Sequence, residues 1–207
     1  MKLLEGIALV IFFIGFAFKL LIWPGSGVIL IISLGMLSCI YFGFGFAFFN
    51  NMSIKMLGTK GAFSHLSQLR IIGSFLTGVN LSILIIGILF GLLLWPGADV
   101  NLLLGLVPGV IILVLAILKQ SRQPEHSYMR IVTRTGFFVM LGVLLYFKPF
   151  FIEEIRYKNH PKMIEALKNF HEDPSEVNRF KRMVEYDRID FDETLFNHKY
   201  QDSIPYK

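Results

Sequence analysis

Residues 27–49 read GVILIISLGMLSCIYFGFGFAFF, an apolar run without a single charged side chain. The run is longer than the ~20 residues that a helix needs to cross the hydrocarbon core of a bilayer. Three further apolar runs cover residues 3–22, 71–94 and 102–118, and each meets the lower limit of ~17 residues. Because backbone groups in lipid must be hydrogen-bonded within their own segment, we expect all four runs to be helices. The sequence predicts an all-α fold, a polytopic membrane helix bundle.

A fifth, weaker segment covers residues 135–152. Its apolar part runs from residue 136 to 147 and continues past Lys148-Pro149 into residues 150–152. Together these parts reach about 17 residues, the minimum length of a spanning helix. We predict a fifth transmembrane helix here; the alternative is a helix that lies in the membrane interface or packs on the others. The bundle is therefore expected to have four to five transmembrane helices.

The first apolar run follows Lys2, as the hydrophobic part of a signal peptide would. It is longer than such a segment, and no small-residue cleavage site follows Lys19. We therefore expect residues 3–22 to be a retained transmembrane helix.

Charge divides the chain into an apolar part and a polar tail. The whole chain is 54% hydrophobic and 17% charged, whereas an average soluble domain is about 25% charged. Residues 1–147 carry nine Lys/Arg and three Asp/Glu, a net charge of +6, and residues 148–207 carry eleven and twelve, a net charge of −1. The surplus cations lie between apolar runs, which is typical of membrane proteins. We therefore expect no nucleic-acid partner, although the pI is near 9.3.

The cations also predict how the chain is oriented in the membrane. They precede the first run at Lys2 and cluster in two loops, residues 51–70 and 119–134. The two short connections that contain tryptophan carry only Asp99. Because Lys and Arg are retained preferentially on the cytoplasmic side, we predict that the N-terminus and both basic loops are cytoplasmic. If the fifth segment crosses, the tail lies on the opposite side.

Two hairpins of the chain share a sequence pattern. Residues 18–25 read FKLLIWPG, and residues 90–97, which lie 72 positions later, read FGLLLWPG. Trp favours the membrane interface, Pro restricts the residue before it, and Gly permits a chain reversal. We interpret residues 1–50 and 71–118 as a duplicated helical hairpin whose halves are parallel repeats. The Trp-Pro-Gly residues are expected to form a turn rather than a ligand site.

The pattern Phe-Lys-x-x-x-Trp-Pro-Gly followed by an apolar run resembles the N-terminal hairpin of GldL, the membrane subunit of the Bacteroidota gliding and type IX secretion motor. The resemblance covers residues 15–33 and again residues 87–105. It implies a bacterial inner (cytoplasmic) membrane and a related hairpin module. In such a membrane the side opposite the basic loops is the periplasm, where we expect the tail if the fifth segment crosses. The resemblance does not imply motor activity: that motor resembles a proton-driven machine with an acidic residue in its second helix, and residues 27–49 and 102–118 contain no Asp or Glu.

The tail, residues 153–207, reads as soluble and helical. Its apolar residues form two stripes at helical spacing, Met163, Ile164, Leu167 and Phe170, then Val177, Phe180, Met183 and Val184. Between them, Asp173-Pro174-Ser175-Glu176 predicts a helix start with Asp173 as its cap. Two such helices bury too little apolar surface to be stable alone. We expect the tail to pack on a protein partner, a second copy or the membrane surface.

Charged and polar side chains inside the runs are the candidate functional groups. Glu5 and Lys19 lie ~21 Å apart on one helix, too far to pair. We expect both at the membrane interfaces, where Lys19 can extend outward. Asn80, with Thr77 and Ser82 nearby, is expected to hydrogen-bond between helices. The alternative for Asn80 is a substrate site.

Two pairs of glycines, Gly87/Gly91 and Gly105/Gly109, have the spacing that lets transmembrane helices approach closely. We expect these small-residue faces to pack within the bundle or between copies of the chain. The predicted partners are membrane lipid and either a protein partner or a homo-oligomer, through the helix faces and the tail.

No residue set has the spacing of an active site, a cofactor site or a metal site. The histidines and the single cysteine are His65, His126, His160, His171, His198 and Cys39. None of them forms a pair with metal-ligand spacing, and no phosphate loop or nucleophile elbow is present. We predict no catalytic residue, no cofactor and no metal, in a protein that is not an enzyme.

The predicted function is a non-catalytic integral membrane subunit or scaffold of a bacterial inner-membrane complex. The alternative is a small membrane transporter or channel, whose polar groups near the midplane would be Asn80, Thr77, Ser33 and Ser38. A third hypothesis is a membrane enzyme that acts on lipid, with His65 or His126 at the cytoplasmic face.

Overall fold

The computed structural model describes residues 2–50, 52, 67–122 and 128–200, and these residues form nine helices without any strand. The first five are α1 Lys2–Leu20, α2 Ser26–Phe49, α3 Gln68–Leu93, α4 Ala98–Arg122 and α5 Met129–Phe147. The other four are α6 Phe151–Arg156, α7 Pro161–Glu172, α8 Glu176–Asp190 and α9 Glu193–Tyr200. The prediction of an all-α fold is confirmed.

Helices α1 to α5 are long and apolar enough to cross a membrane. Their outward side chains are apolar: Val10, Ile32, Phe42 and Val107 are all more than half exposed. Such a surface suits lipid tails, which are as apolar as leucine. The prediction of a polytopic helical membrane protein is confirmed, with five candidate spans.

The chain divides into two compact units, residues up to Pro149 with α1–α5 and residues from Phe150 with α6–α9. In the first unit each helix packs on the next, and α5 packs on α3 as well as on α4. Residues 150–152, which the sequence predicts to extend the fifth span, belong instead to the second unit.

The fifth helix lies closer to the N-terminus than predicted. The sequence places it at residues 135–152, but α5 begins at Met129 and ends at Phe147. Pro149 explains the early end, because the residue before a proline is driven out of helical geometry. The first residues of α5 belong to the predicted basic loop, residues 119–134, so Arg134 is a helical residue.

The two Trp-Pro-Gly turns have the same backbone geometry. Ile22 and Leu94 adopt left-handed φ angles of 62° and 52°. In each turn the N–H of the following Trp donates to the carbonyl of Phe18 or Phe90 at 2.9 Å. This is a Schellman helix end, in which glycine is usual at the left-handed position. The sequence predicts the turn but not this position, because a β-branched residue such as Ile22 is strained there.

Glycine permits the closest helix contacts of the bundle. A Cβ added to Gly105 would lie 2.6 Å from the Cα of Leu84, and one added to Gly87 would lie 2.9 Å from the backbone of α4. The predicted close approach is therefore confirmed between α3 and α4. A further contact, not evident from the sequence, joins α2 to α3, since a Cβ on Gly45 would lie 2.7 Å from the Cα of Gly78.

The second unit has a small apolar core of its own. Val184, Phe196 and Tyr200 are buried together, and Phe180 and Phe191 pack against them. Helix α9, which the sequence does not predict, supplies two of these residues. The expectation that the tail packs on a partner stays a prediction.

The start of α8 corrects one sequence prediction. Its cap is Ser175, whose hydroxyl accepts a hydrogen bond from the backbone N–H of Asn178 at 3.4 Å. Asp173, the predicted cap, is instead the C-cap of the preceding helix, α7. Its carboxylate accepts a hydrogen bond from the side chain of Asn178 at 3.1 Å. Serine can cap here because its backbone is extended, as a cap requires.

Asp187 is a buried carboxylate of the second unit. It accepts hydrogen bonds from Nζ of Lys199 at 2.6 Å and from the hydroxyl of Tyr200 at 2.5 Å. Burial acts to raise the pKa of Asp187, but the two hydrogen bonds and the charge of Lys199 outweigh it and leave the pKa below its usual range. Burial and the contact with Asp187 raise the pKa of Tyr200 to about 12.

Candidate functional site

Glu5 is the centre of a buried polar cluster in the first unit. Its Oε1 accepts a hydrogen bond from Nε of Arg134 at 2.6 Å, and its Oε2 accepts one from Nη2 of the same residue at 2.9 Å. The hydroxyl of Tyr41 also donates to Oε1, at 2.5 Å. These donors come from α5 and α2. We call Glu5, Tyr41 and Arg134 the carboxylate clamp.

Aromatic rings surround the carboxylate clamp. The guanidinium carbon of Arg134 lies 4.5 Å from the ring centroid of Phe48, a cation–π contact. Tyr41 meets Phe138 edge-on at 6.1 Å between centroids. Glu5 and Tyr41 are only 5% and 1% exposed. The carboxylate is therefore shielded on all sides by protein.

The clamp is electrically neutral, and both oxygens of its carboxylate are occupied. Insertion scales give a cost of roughly 2.5–3.5 kcal/mol for a lone charge at the centre of a membrane helix, and Glu5 lies nearer the end, in the first turn of α1. A bidentate arginine–carboxylate pair offsets this cost and fixes a planar geometry. Removing one partner would leave the other charge buried without compensation. The arrangement thus joins the start of α1 to α2 and α5 rather than presenting a free acid.

The prediction that Glu5 lies at the membrane interface stays a prediction, but the partner of Glu5 is not predicted from the sequence. Glu5 is the only acidic residue within the four predicted runs. On its own helix the only oppositely charged residue considered as a partner was Lys19. The actual partner, Arg134, is 129 positions away and reads as a loop cation. Lys19 lies in the last turn of α1 and is 7% exposed, so its side chain is packed by protein instead of extending outward.

A second polar cluster joins the end of α2 to the start of α3. The amide nitrogen of Asn50 donates to Oγ of Ser74 at 2.8 Å, and its oxygen accepts from Nε of Arg70 at 3.0 Å. Ser74 in turn donates to the carbonyl of Arg70 at 2.6 Å. Arg70, which the sequence places in the cytoplasmic loop, belongs to the first turn of α3.

The hydroxyl groups of the spans have two different roles. The hydroxyls of Ser82 on α3 and Ser38 on α2 are hydrogen-bonded to each other at 2.7 Å. This is the kind of bond between helices that the sequence predicts near Asn80. Thr77 and Ser33 donate instead to carbonyls of their own helices, at 2.7 and 3.2 Å. These groups are therefore held by neighbouring protein atoms.

Asn80 does not make the hydrogen bond between helices that the sequence predicts. It is 6% exposed, yet its amide nitrogen and oxygen have no hydrogen-bond partner among the described residues. The reason is its neighbour: a Cβ on Gly109 would lie 3.1 Å from Nδ2 of Asn80, and glycine offers no polar side chain. The buried hydroxyl of Thr135 on α5 is likewise without a partner within these ranges.

The histidines do not form a site in the part of the chain that the structure describes. His65 and His126, the residues of the lipid-enzyme hypothesis, lie outside that part. His171 meets the ring of Phe150 edge-on at 5.4 Å. Across residues 2–50, 52, 67–122 and 128–200, no group of three His, Cys, Asp or Glu could hold a metal ion.

No family model, curated protein or solved structure matches the chain. The resemblance to GldL therefore stays a prediction.

Proposed function

We propose that the chain is a non-catalytic integral membrane subunit or scaffold of a bacterial inner-membrane complex. The observation that carries the proposal is the carboxylate clamp. A transport or catalytic acid has to be reached by a proton or a substrate, whereas Glu5 is 5% exposed and both of its oxygens accept hydrogen bonds from protein donors. A clamp of this kind suits a bundle that has to present a fixed shape to a partner.

The proposed orientation follows from the positive charges at one end of the helices. Arg70 lies in the first turn of α3, and Lys119 and Arg122 lie in the last turn of α4. With Lys2 at the start of α1, these cations favour a cytoplasmic N-terminus. Five crossings then put the second unit in the periplasm. The GldL-like turns support the inner membrane as the location.

The proposed duplication of the hairpin has geometric support. The left-handed φ angles at Ile22 and Leu94 differ by only 10°, and those of Gly25 and Gly97, 83° and 81°, by only 2°. In both turns a Trp ring also meets the Phe ring of the same helix end edge-on, at 4.8 and 5.2 Å. We infer that residues 1–50 and 71–118 are two copies of one GldL-like module.

The second unit offers a surface for the proposed partner. Val177 and Leu195 are 55% and 59% exposed, and Met183 is 46% exposed. These exposed apolar side chains on a small polar unit are available for a contact with another protein, and we propose that the partner binds them. The partner is a different protein or a second copy of the chain.

The test is a partner identification with matched tail variants. The tagged chain is extracted from its native membrane in a gentle detergent, and co-purifying proteins are identified and quantified by mass spectrometry. We expect a stoichiometric partner, or a second copy, that Leu195→Asp loses. Asn197→Asp adds the same charge at an exposed position of the same helix and should retain it. A wild-type chain that is strictly monomeric and without a partner contradicts the proposal.

A small transporter or channel is the second candidate. The buried amide of Asn80 favours it, because this amide has no hydrogen-bond partner among the described residues. In that case the buried amide and the Thr135 hydroxyl would serve a polar solute. Flux into proteoliposomes that Asn80→Leu abolishes and Ser82→Ala retains would support transport. Flux that stays at background across ions and small solutes removes this candidate.

A further inference from the structure

A cavity of about 110 Å³ opens where four helices of the first unit end or begin. It lies between the end of α2, the start of α3, the end of α4 and the start of α5. A single water needs only ~10–15 Å³ of such space, so the cavity can hold a chemical group of several heavy atoms. It does not include any residue of the carboxylate clamp.

Two cations line this cavity, and neither has an acidic partner in the part of the chain that the structure describes. The guanidinium carbon of Arg70 and Nζ of Lys119 lie 5.7 and 5.8 Å from the ring centroid of Tyr128. Among the described residues, no Asp or Glu lines the cavity, and neither cation forms an ion pair. Two cations that line one cleft with apolar walls favour the binding of an anion there.

Arg70 is held in position for such a contact. Its Nε donates to the side-chain oxygen of Asn50 at 3.0 Å. Within the described ranges, its two Nη groups have no hydrogen-bond acceptor. Because arginine presents its donors as a rigid fork, fixing one side of the fork orients the other donors.

The cavity has a cationic mouth and an apolar wall. Lys119 lies in the last turn of α4, and Ile112 lies on the same helix about 10 Å deeper. Thr77 is similarly about 10 Å deeper than Arg70 on α3. Leu115 lines the cavity and is 52% exposed. The apolar wall thus continues onto the outer, lipid-facing surface of the bundle.

We propose that the cavity binds the phosphate group of an anionic phospholipid. Arg70 and Lys119 bind the phosphate oxygens, and an acyl chain leaves along Ile112 and Leu115. Basic pockets between transmembrane helices near the membrane surface are suited to such head groups. The apolar wall favours a lipid over free phosphate, which has no apolar part to bury. The proposal needs only the membrane-embedded bundle and does not rest on the scaffold function.

The first test measures lipid binding to the purified full chain by native mass spectrometry. The chain is titrated with dioleoyl phosphatidylglycerol and, separately, with zwitterionic dioleoyl phosphatidylcholine. We expect tighter binding of phosphatidylglycerol, and Lys119→Gln should weaken that binding about fivefold, the loss typical of one cation near a head group.

The matched control for the charge is Arg122→Gln. Arg122 is exposed in the same turn of α4 but does not line the cavity, so its loss should weaken binding less than twofold by this account. Equal weakening by both variants, or equal binding of the two lipids by the wild type, overturns the proposal.

A second variant blocks the cavity without changing charge. Gly73 lines the cavity, and a Cβ there would meet nothing within 4 Å. Gly73→Leu should therefore fold normally and lose selective binding of phosphatidylglycerol. Gly43→Leu is the control, since a Cβ at Gly43 also meets nothing within 4 Å and Gly43 lies outside the cavity. Undiminished lipid binding by Gly73→Leu contradicts the proposal.

Inorganic phosphate distinguishes the two sources of the anion. We expect millimolar phosphate to leave bound phosphatidylglycerol in place, because the lipid also contacts the apolar wall. Displacement of the lipid at that concentration would assign the site to a free anion and overturn the lipid proposal.

Discussion

The carboxylate clamp and the cationic cavity are two polar regions of one helical bundle, and they differ in how their charges are partnered. In the clamp, Arg134 meets both oxygens of Glu5. In the cavity, Arg70 and Lys119 meet an aromatic ring and, among the described residues, no carboxylate. A charge with an internal partner fixes the structure, whereas a charge without one is available to a ligand.

Breaking the clamp should have the largest effect. Glu5→Gln leaves Arg134 without a countercharge, and 22% of the Arg134 side chain is exposed. We therefore expect the free energy of unfolding to fall by about 3 kcal/mol, the lower end of the range for a buried ion pair. Unfolding of the purified chain in mixed detergent micelles with increasing SDS measures this loss.

The control for the clamp is an ion pair at a solvated position. Glu154→Gln removes the carboxylate that pairs with Lys168, and these two side chains are 45% and 43% exposed. We expect a loss of less than about 1 kcal/mol. If Glu5→Gln were as mild as Glu154→Gln, the clamp would have no structural role.

Crowding the helices beside the clamp should have the next largest effect. A Cβ on Gly78 would lie 2.6 Å from the carbonyl oxygen of Tyr41. Gly78→Ala therefore has to displace the backbone of α2, and we expect a loss of about 1–3 kcal/mol in the same unfolding measurement. Gly43→Ala, with open space around its Cβ, should show no loss. A neutral Gly78→Ala would mean that α2 and α3 are less closely packed.

Asp187 extends the comparison to a partnered carboxylate in the second unit. Its pKa is lowered by hydrogen bonds from Lys199 and Tyr200 against the effect of burial. Its contribution to stability is therefore present above the unfolded pKa of about 3.9 and is lost as the pH falls through the lower, folded pKa. Asp187→Asn should reduce the protection of α9 amides by about 1.5 kcal/mol at neutral pH.

Hydrogen exchange followed by mass spectrometry checks this prediction in the full chain. The difference between wild type and Asp187→Asn should disappear at a pH below the folded pKa. Asp190→Asn, an exposed carboxylate at the end of the same helix, is the control and should leave α9 protected. Unchanged protection in Asp187→Asn would rule out a stabilising contact.

Removing a cation from the cavity should have the smallest effect on stability. Lys119 has no internal acidic partner within the described ranges, so Lys119→Gln should change the free energy of unfolding by less than about 0.5 kcal/mol. Added phosphatidylglycerol should stabilise the wild type more than this variant, since a ligand stabilises the state that binds it. A loss as large as that of Glu5→Gln would show that Lys119 has a structural partner.

Most of the fold could be predicted from the sequence because membrane helices need long apolar runs. Residues 27–49 could only be a buried helix in lipid, and Pro-Gly after each Trp marked the turns. The bounds of α5 could not be read in the same way. A run that includes Arg134 loses its apolar character in the sequence, and only the pairing with Glu5 makes that arginine compatible with a span.

The polar sites were less predictable, because they depend on which helix faces meet. Glu5 and Arg134 are 129 positions apart, and no local spacing relates them. Asn80 is of a residue type that often forms hydrogen bonds between membrane helices. It lies against Gly109, however, which has no side chain that could form such a bond. The cavity likewise arises from the ends of four helices, and no single segment of the sequence indicates it.

The central claim is that the bundle is a rigid subunit of a larger assembly. The most direct measurement is the mass of the intact particle after gentle-detergent extraction from the native membrane. The account predicts the 23.7 kDa chain together with a stoichiometric partner or a second copy. A particle that contains one 23.7 kDa chain with lipid and detergent alone would contradict it.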